Sequence, residues 1–427
     1  MKISFRDGFL LGAASAATQI EGGELNHSWT DWAKKGRIKD GSRPSRANNH
    51  IRYWKNDLDL MKSMGIKIYR LGIEWARIEP ENGVFDKKAI EFYMELLSYM
   101  KELDIKPLVT LHHFTNPMWF ERLGGFTRVE NVKYYLLFVK RVVSAFGGLA
   151  GEYITINEPN VYATNSYFYG EWPPGEKSLM KALTVMSVMA ACHIKAYELI
   201  HSRRRSMGFH DTKVGFAHHM RVFRPKSRFN PWHRLCTHAV QHLFQSSVTK
   251  AFCTGKFSLP LKKPFQLPQG EFSDFIAINY YSRSTISGFG DGAAKNVPKN
   301  DLDWEIYPQG IELCAEELYR VLKRPIYITE NGTCDNHDTF RSRYIYDHLK
   351  VISESRLPFE RYYHWCFCDN FEWLEGESAR FGLVHLDYPT QKRTVKKSGH
   401  FYSKIIEHHG VTNEMYQESV QPEHYHR

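Results

Sequence analysis

The fold that the sequence predicts is an α/β (β/α)8 barrel in a single domain, and three observations carry that prediction. Short apolar, β-prone runs give way to longer segments of helical periodicity eight times, as parallel strands alternating with helices do. No GxGxxG follows the first run, where an open doubly wound sheet would carry one. No Pro/Gly/Ser-rich linker divides the 427 residues, a length that α/β barrels accommodate in one domain.

The first strand is predicted at 9–14 and its helix at 49–63. A second strand at 68–73 leads into Glu74-Trp75-Ala76-Arg77 and a helix over 87–103. A third at 107–111 ends on His112-His113-Phe114 before a helix at 130–146, and a fourth at 153–156 ends on Asn157-Glu158-Pro159 before the long helical stretch 178–205. Strands at 213–217 and 275–278 follow, each with its helix, at 232–254 and 309–322; the sixth ends on Asn279-Tyr280-Tyr281. The seventh, 326–329, ends on Glu330-Asn331-Gly332 ahead of a helix at 340–354. The eighth, 362–365, runs through Trp365 to Asp369-Asn370-Phe371-Glu372-Trp373, with a last helix at 397–409. The barrel domain takes residues 1–416, and 417–427, polar and aperiodic, is expected to fray.

Composition excludes several classes. A hydrophobic share of 42% with 24% charged residues is that of a folded globular chain, not a disordered one. No apolar run is read as reaching the roughly 18 to 20 residues that span a bilayer, so no membrane partner is expected. The first residues show no apolar core of a signal peptide, and seven scattered cysteines do not form a secreted disulfide framework. A cytoplasmic location is the expectation. The net charge of +10 would suit nucleic acid only if the cations gathered on one face; the densest run, Arg203-Arg204-Arg205, closes a helical stretch, where cations complement the helix dipole and face solvent. Neither Cys366-x-Cys368, which lacks a second pair, nor the His112-His113, His218-His219 and His408-His409 pairs make a metal site, and no H-x-H closes the first strand. No cofactor and no metal are called for.

Active sites of such barrels sit where the strands end. There the sequence places two glutamates, Glu158 and Glu330, each after a short apolar strand and before a turn-former. Strands four and seven lie nearly opposite, so the two carboxyls can face each other across a small substrate. A glycosidase needs this pair: one acid protonates the leaving oxygen while the other carboxylate attacks the anomeric carbon.

Thr155-Ile156-Asn157-Glu158-Pro159 and Ile328-Thr329-Glu330-Asn331-Gly332 resemble the two catalytic signatures of the family 1 glycoside hydrolases, the β-glucosidase family. The segments at 9–22, 274–282, 369–373 and 380–382 agree in order and spacing, so the resemblance covers essentially the whole chain. Ile73-Glu74-Trp75-Ala76-Arg77 with His113-Phe114-Thr115-Asn116-Pro117 is more similar to the prokaryotic branch than to plant enzymes. The resemblance implies that Glu158 is the general acid/base and Glu330 the nucleophile. It implies that Arg77 and Tyr281 contact the nucleophile carboxylate and that Asn157 bonds the sugar 2-hydroxyl. Gln19, His113, Glu372 and Trp373 would hold the other hydroxyls, Trp365 would lie under the ring, and Trp304 would stand on the aglycone side; Asn279 and Phe381 join the substrate contacts. A cation beside Glu330 would keep it ionised, while burial and a neighbouring negative charge would raise Glu158 and keep it protonated. Phe114, Thr18, Asn160 and Glu377 stand where many members carry Trp, Tyr, Trp and Tyr, which alters the shape of the sugar subsites.

The function implied is a retaining exo-β-glycosidase, a β-glucosidase with some activity on β-galactosides or β-fucosides, whose partners are small β-linked glycosides. A 6-phospho-β-glycosidase tends to carry serine and lysine in the loop where Glu372 stands, and a silent sugar-binding barrel would lack one of the two glutamates.

Overall fold

The structure is a computed structural model that describes residues 1–288 and 290–426. Eight parallel strands close a barrel in sequence order: β1 (Leu10–Ala14), β2 (Ile68–Gly72), β3 (Lys106–Thr110), β4 (Glu152–Asn157), β5 (Lys213–Pro225), β6 (Ile276–Ile286), β7 (Ile326–Asn331) and β8 (Phe359–Trp365). Closure is made by β8 against β1, with Leu10 opposite Arg361 and Ala14 opposite Trp365. Every residue of β2, β4 and β7 is buried, because helices cover the outer face and side chains fill the inner one.

Each strand is followed by a helix, and the second of these shows how one apolar stripe packs on the barrel. In α2 (Lys87–Glu102), after α1 (His50–Ser63), the buried residues Ala89, Ile90, Tyr93, Leu96, Leu97 and Met100 recur at three- and four-residue spacing. Asp86 caps α2 by accepting from the Ala89 N–H at 3.1 Å. The others are α3 (Val132–Phe146), α4 (Leu179–Ser206), a bent α5 running from Pro231–Gln241 through a π turn at His242–Ser246 into Ser247–Thr254, then α6 (Gly310–Val321), α7 (Arg341–Glu354) and α8 (Lys397–His408).

Four features differ from the sequence expectations. The strands β5 and β6 continue past the barrel rim and pair with each other as far as Pro225 and Ile286. That ribbon raises His219, Arg221 and Tyr281 into the barrel mouth. The α4 helix is, by length and composition, apolar enough to cross a bilayer, although most of its apolar window is buried inside the protein; it packs on α3 and α5, so small and apolar residues are needed around most of its circumference. Arg204 at its end is buried rather than solvated, its guanidinium donating to the Gly147 carbonyl at 3.0 Å and to Asp211 at 2.8 Å. Finally, the tail does not fray. A helix forms over Asn413–Ser419, Glu423 accepts from the Arg343 N–H at 2.8 Å, and the Tyr425 hydroxyl donates to Asp347 at 2.7 Å. Polar groups that look like a loose end in sequence find partners on α7; Arg427 lies outside the described residues.

Candidate active site

The C-terminal ends of the strands enclose a cavity of about 950 Å³ whose lining includes Glu158, Glu330, Glu372, His113, Tyr281, Trp304, Trp365, Trp373 and Phe381. Glu158 follows β4 with φ +41°, in the left-handed region, and caps the short helix Pro159–Ala163. Glu330 sits within β7, one residue before the strand ends at Asn331. The two carboxyls thus reach the same cavity from nearly opposite strands.

Glu330 is held by Arg70, not Arg77. Arg70 rises from β2 inside the barrel, fully buried, and donates to Glu330 Oε1, to Asn157 Oδ1 at 2.6 Å, to the Thr329 carbonyl at 3.2 Å and to Thr110 Oγ1 at 3.1 Å. Tyr281 donates its hydroxyl to Glu330 Oε2 at 2.6 Å, as the sequence reading expects. Arg77 lies beyond the strand on the one-turn helix Trp75–Ile78 and is taken up by Glu21 at 2.7 Å and the Gly22 carbonyl at 2.8 Å. The six residues between the two arginines carry Arg77 out of the barrel interior. The clue to Arg70 was a cation inside an otherwise apolar strand, a position tolerated only when the charge is paired.

Behind Glu158 stand Asn279 and His219. Asn279, expected among the sugar contacts, is fully buried and donates to Glu158 Oε1 at 2.8 Å and to Asn157 Oδ1 at 3.0 Å, while accepting from Thr329 Oγ1 at 2.7 Å. It positions the carboxyls rather than facing the cavity. Nothing in the sequence reading marked His219, whose Nδ1 lies 3.0 Å from Glu158 Oε1; the His218-His219 pair was weighed only as a metal ligand.

The protonation pattern reverses the sequence expectation. Burial pushes Glu158 up, but the facing His219 and the Asn279 amide outweigh it and hold the carboxyl below the ordinary range. Glu330 is pushed up to about 7, by burial first; Arg70 opposes, Glu158 adds to the rise, and the Tyr281 hydroxyl opposes. The dyad shares its protons. The electrostatics of the pair favour a proton on Glu330 over one on Glu158.

At the inner end, the Gln19 amide donates to Glu372 Oε2 at 3.1 Å, to Asn370 Oδ1 at 3.1 Å and to the Phe371 carbonyl at 2.9 Å, leaving its buried Oε1 without a partner. Burial, with Glu330 nearby, raises Glu372 to about 8 against the pull of hydrogen bonds from Gln19 and Trp365. That direction favours the neutral acid, whereas the sequence reading expects an ionised acceptor. His113 lies between Trp365 (centroids 5.8 Å, 29°) and Trp373 (5.7 Å, 27°). Its Nε2 faces the Asn157 amide at 3.0 Å and burial holds the ring neutral, so Nδ1 carries the proton; Nδ1 is buried and unpartnered. Toward the opening, Trp304 meets Tyr281 at 5.8 Å and Phe381 at 6.0 Å. Trp172, which the sequence reading did not single out, also lines the cavity and contacts Phe114 at 4.8 Å and Trp373 at 6.0 Å. The indole thus fills part of the space left where Phe114 replaces a larger ring.

Among the described residues no group of three or more His, Cys, Asp or Glu side chains is placed to hold a metal. Cys366 and Cys368 are free, buried thiols.

These features can be set beside known proteins. A beta-glycosidase from Pyrococcus horikoshii superposes with a TM-score of 0.90 at 33% identity, covering 98% of each chain. Beta-glucosidase A of Thermotoga maritima is 30% identical over 95% of this chain and 98% of its own length. The structure of the Thermotoga maritima beta-glucosidase with deoxynojirimycin matches with a TM-score of 0.86 at 28% identity, covering 96% of this chain and 100% of that one. The model of Glycosyl hydrolase family 1 matches residues 1–411. With the two glutamates of the strand ends lining one sugar-sized cavity, this chain belongs to glycosyl hydrolase family 1.

Proposed function

We propose that the chain is a retaining exo-β-glycosidase that acts as a β-glucosidase on the non-reducing end of small β-linked glycosides. The observation that carries the reading is the unequal furnishing of two carboxyls in one cavity. Glu330 receives a guanidinium and a phenol, the donors a nucleophilic carboxylate needs. Glu158 has its two donors, Asn279 and His219, on one oxygen only.

In the first step Glu330 attacks the anomeric carbon, and the glycosidic oxygen leaves with the proton of Glu158. The electrostatics of the pair favour the proton on Glu330, so a redistribution within the dyad precedes this step. Once the ester has formed, Glu330 carries no charge and Glu158, now ionised, takes a proton from water, whose oxygen attacks the same carbon. Two inversions return the β anomer.

The sugar end supports a neutral hexose. Gln19 Oε1 and the His113 Nδ1 proton are a buried acceptor and a buried donor without partners, and a sugar hydroxyl satisfies both kinds. Trp365 offers an apolar face to the sugar C–H groups. The cavity, larger than one sugar ring, leaves room for an aglycone beside Trp304 and Trp172.

The test is a panel of nitrophenyl β-glucoside, β-galactoside and β-fucoside, with the α-glucoside and the β-glucoside 6-phosphate as controls, and NMR of the first-formed sugar. Turnover of the β-glucoside with β-glucose appearing first is the expected result. A first-formed α anomer, or a preference for the phosphate, refutes the reading.

A further inference from the structure

The barrel-rim ribbon of β5 and β6 carries a chain of polar contacts that ends on Glu158. Arg221 Nε donates to His219 Nε2 at 2.9 Å. A guanidinium cannot accept, so that ring nitrogen is the acceptor and the imidazole proton sits on Nδ1. Nδ1 faces Glu158 Oε1 at 3.0 Å and can only donate to it. Arg221 is itself fixed: its N–H donates to Gln245 Oε1 at 2.6 Å, its Nη1 reaches Ser284 Oγ at 3.3 Å, and Asp291 lies 3.6 Å away. The His219 ring stacks on Tyr281 (6.0 Å, 19°) and meets Phe244 edge-on (6.0 Å, 82°). Its backbone carbonyl accepts from the Asn160 amide at 2.9 Å, at a position where the family pattern has a tryptophan.

We propose that His219, its tautomer set by Arg221, is a positioning residue for the acid/base: together with Asn279 it fills Oε1 of Glu158 and leaves Oε2 to carry the catalytic proton. The argument is one of valence. Oε1 has two lone pairs in the carboxyl plane and two donors aimed at it, Asn279 at 2.8 Å and His219 at 3.0 Å. A proton on Oε1 would meet both donors head on. On Oε2 it meets neither, and the transfer to the glycosidic oxygen starts from one defined atom. Because a donor favours the ionised carboxyl, the same contact draws Glu158 toward its base form. The other titratable and charged groups around the relay are Glu330 with Arg70 across the cavity, Tyr281 on β6, Asp291 beyond Arg221, and His218, whose Nε2 turns away to the Gln245 carbonyl. The inference rests on the glycosidase reading for its kinetic consequence only.

The test has two arms. In kinetics, the limb of the kcat/KM profile that reports Glu158 is the one lost in Glu158→Gly with a dinitrophenyl β-glucoside. His219→Phe keeps the ring packing but removes the donor, and that limb is expected to move up by about one pH unit, the effect of one hydrogen bond to a charged group. His219→Gln, which restores an amide donor, is expected to bring it most of the way back. In spectroscopy, 15N-histidine spectra of the native enzyme, with His219 assigned from its loss in His219→Gln, should show a protonated Nδ1 and a bare Nε2. Arg221→Met should mix the two tautomers. An unmoved limb in His219→Phe, or a native ring protonated on Nε2, overturns the proposal. If the enzyme turned over no β-glycoside, the function proposed above would fail, while the spectroscopic arm would still decide the relay.

Discussion

Arg70 and Arg77 can be separated by experiment, and the contrast tests the site directly. Replacing Arg70 with Met removes, among the described residues, the one cation that donates to Glu330 and leaves the Tyr281 hydroxyl on that carboxyl. An opposite charge in contact lowers a carboxyl by about one to three units. Glu330 stands at about 7 with Arg70 present, so its loss carries the group to roughly 8 to 10. At pH 7 the ionised share then falls from about half to between about a tenth and a thousandth. The nucleophile loses in addition a donor that orients it for attack, and kcat/KM for a nitrophenyl β-glucoside should drop by on the order of a hundredfold or more. The pH limb that reports Glu330 should move up by at least one unit. Arg77→Met breaks a pair with Glu21 at 2.7 Å that touches neither carboxyl of the dyad; kcat/KM should stay within a few-fold, with the cost appearing as a lower Tm. Both profiles are to be taken on protein whose thermal unfolding shows it folded at the assay temperature. An Arg70→Met enzyme with an unmoved pH profile, or an Arg77→Met enzyme as crippled as Arg70→Met, would refute the assignment of the buried cation.

Three further outcomes follow from the geometry. Glu330→Gly should be inactive and regain turnover with azide, giving an α-glycosyl azide, whereas Glu158→Gly with a good leaving group should give the β product; the opposite anomers would exchange the two roles. Glu372, at about 8, is neutral at pH 7 and charged at pH 9, so the preference for a β-glucoside over its 6-phosphate should grow by about tenfold between those pH values, over which the phosphate stays a dianion. Glu372→Gln should show a flat ratio, and a flat native ratio would count against the argument. Gly332→Ala would place a methyl 1.8 Å from the Trp365 carbonyl oxygen, a backbone atom with no room to yield; calorimetry should show a loss of about 3 kcal/mol or more, or no folded protein, at a residue two positions from the nucleophile.

The barrel was legible because its signal is repetitive: eight strand and helix alternations leave little freedom in topology, and each strand end names a candidate. Tyr281, Trp365 and Glu372 come to the cavity as the sequence reading expects. Arg70 was passed over for a cation seven residues on because both lie near the end of strand two, and sequence distance does not say which points inward. Arg70 stands on the same side of β2 as Ile68 and Gly72, which period-two alternation would have indicated had the strand been counted residue by residue. His219 was hidden for another reason. Its role depends on β5 and β6 outrunning the barrel, and the run Met220 to Pro225 is too polar and too interrupted to read as a strand until its partner on β6 is known.

The charge balance of the cavity ties sugar recognition to the nucleophile. Three carboxyls, the buried Glu158 and Glu330 and the half-buried Glu372, share it with Arg70 as the guanidinium bonded to Glu330. Three negative charges in that volume would be costly, and the dyad and Glu372 avoid this by holding protons. Because Glu372 raises nothing on its neighbour while neutral, each proton it keeps helps Glu330 to ionise; because a neutral acid both donates and accepts, Glu372 can still hold two sugar hydroxyls. A sugar whose hydroxyls accept from Glu372 keeps that proton in place and so favours the ionised nucleophile, while a ligand that forces Glu372 to ionise, or that brings its own negative charge, pushes a proton back onto Glu330. On the proposed function, recognition at the inner end and reactivity at the anomeric carbon are coupled through the electrostatics of one pocket.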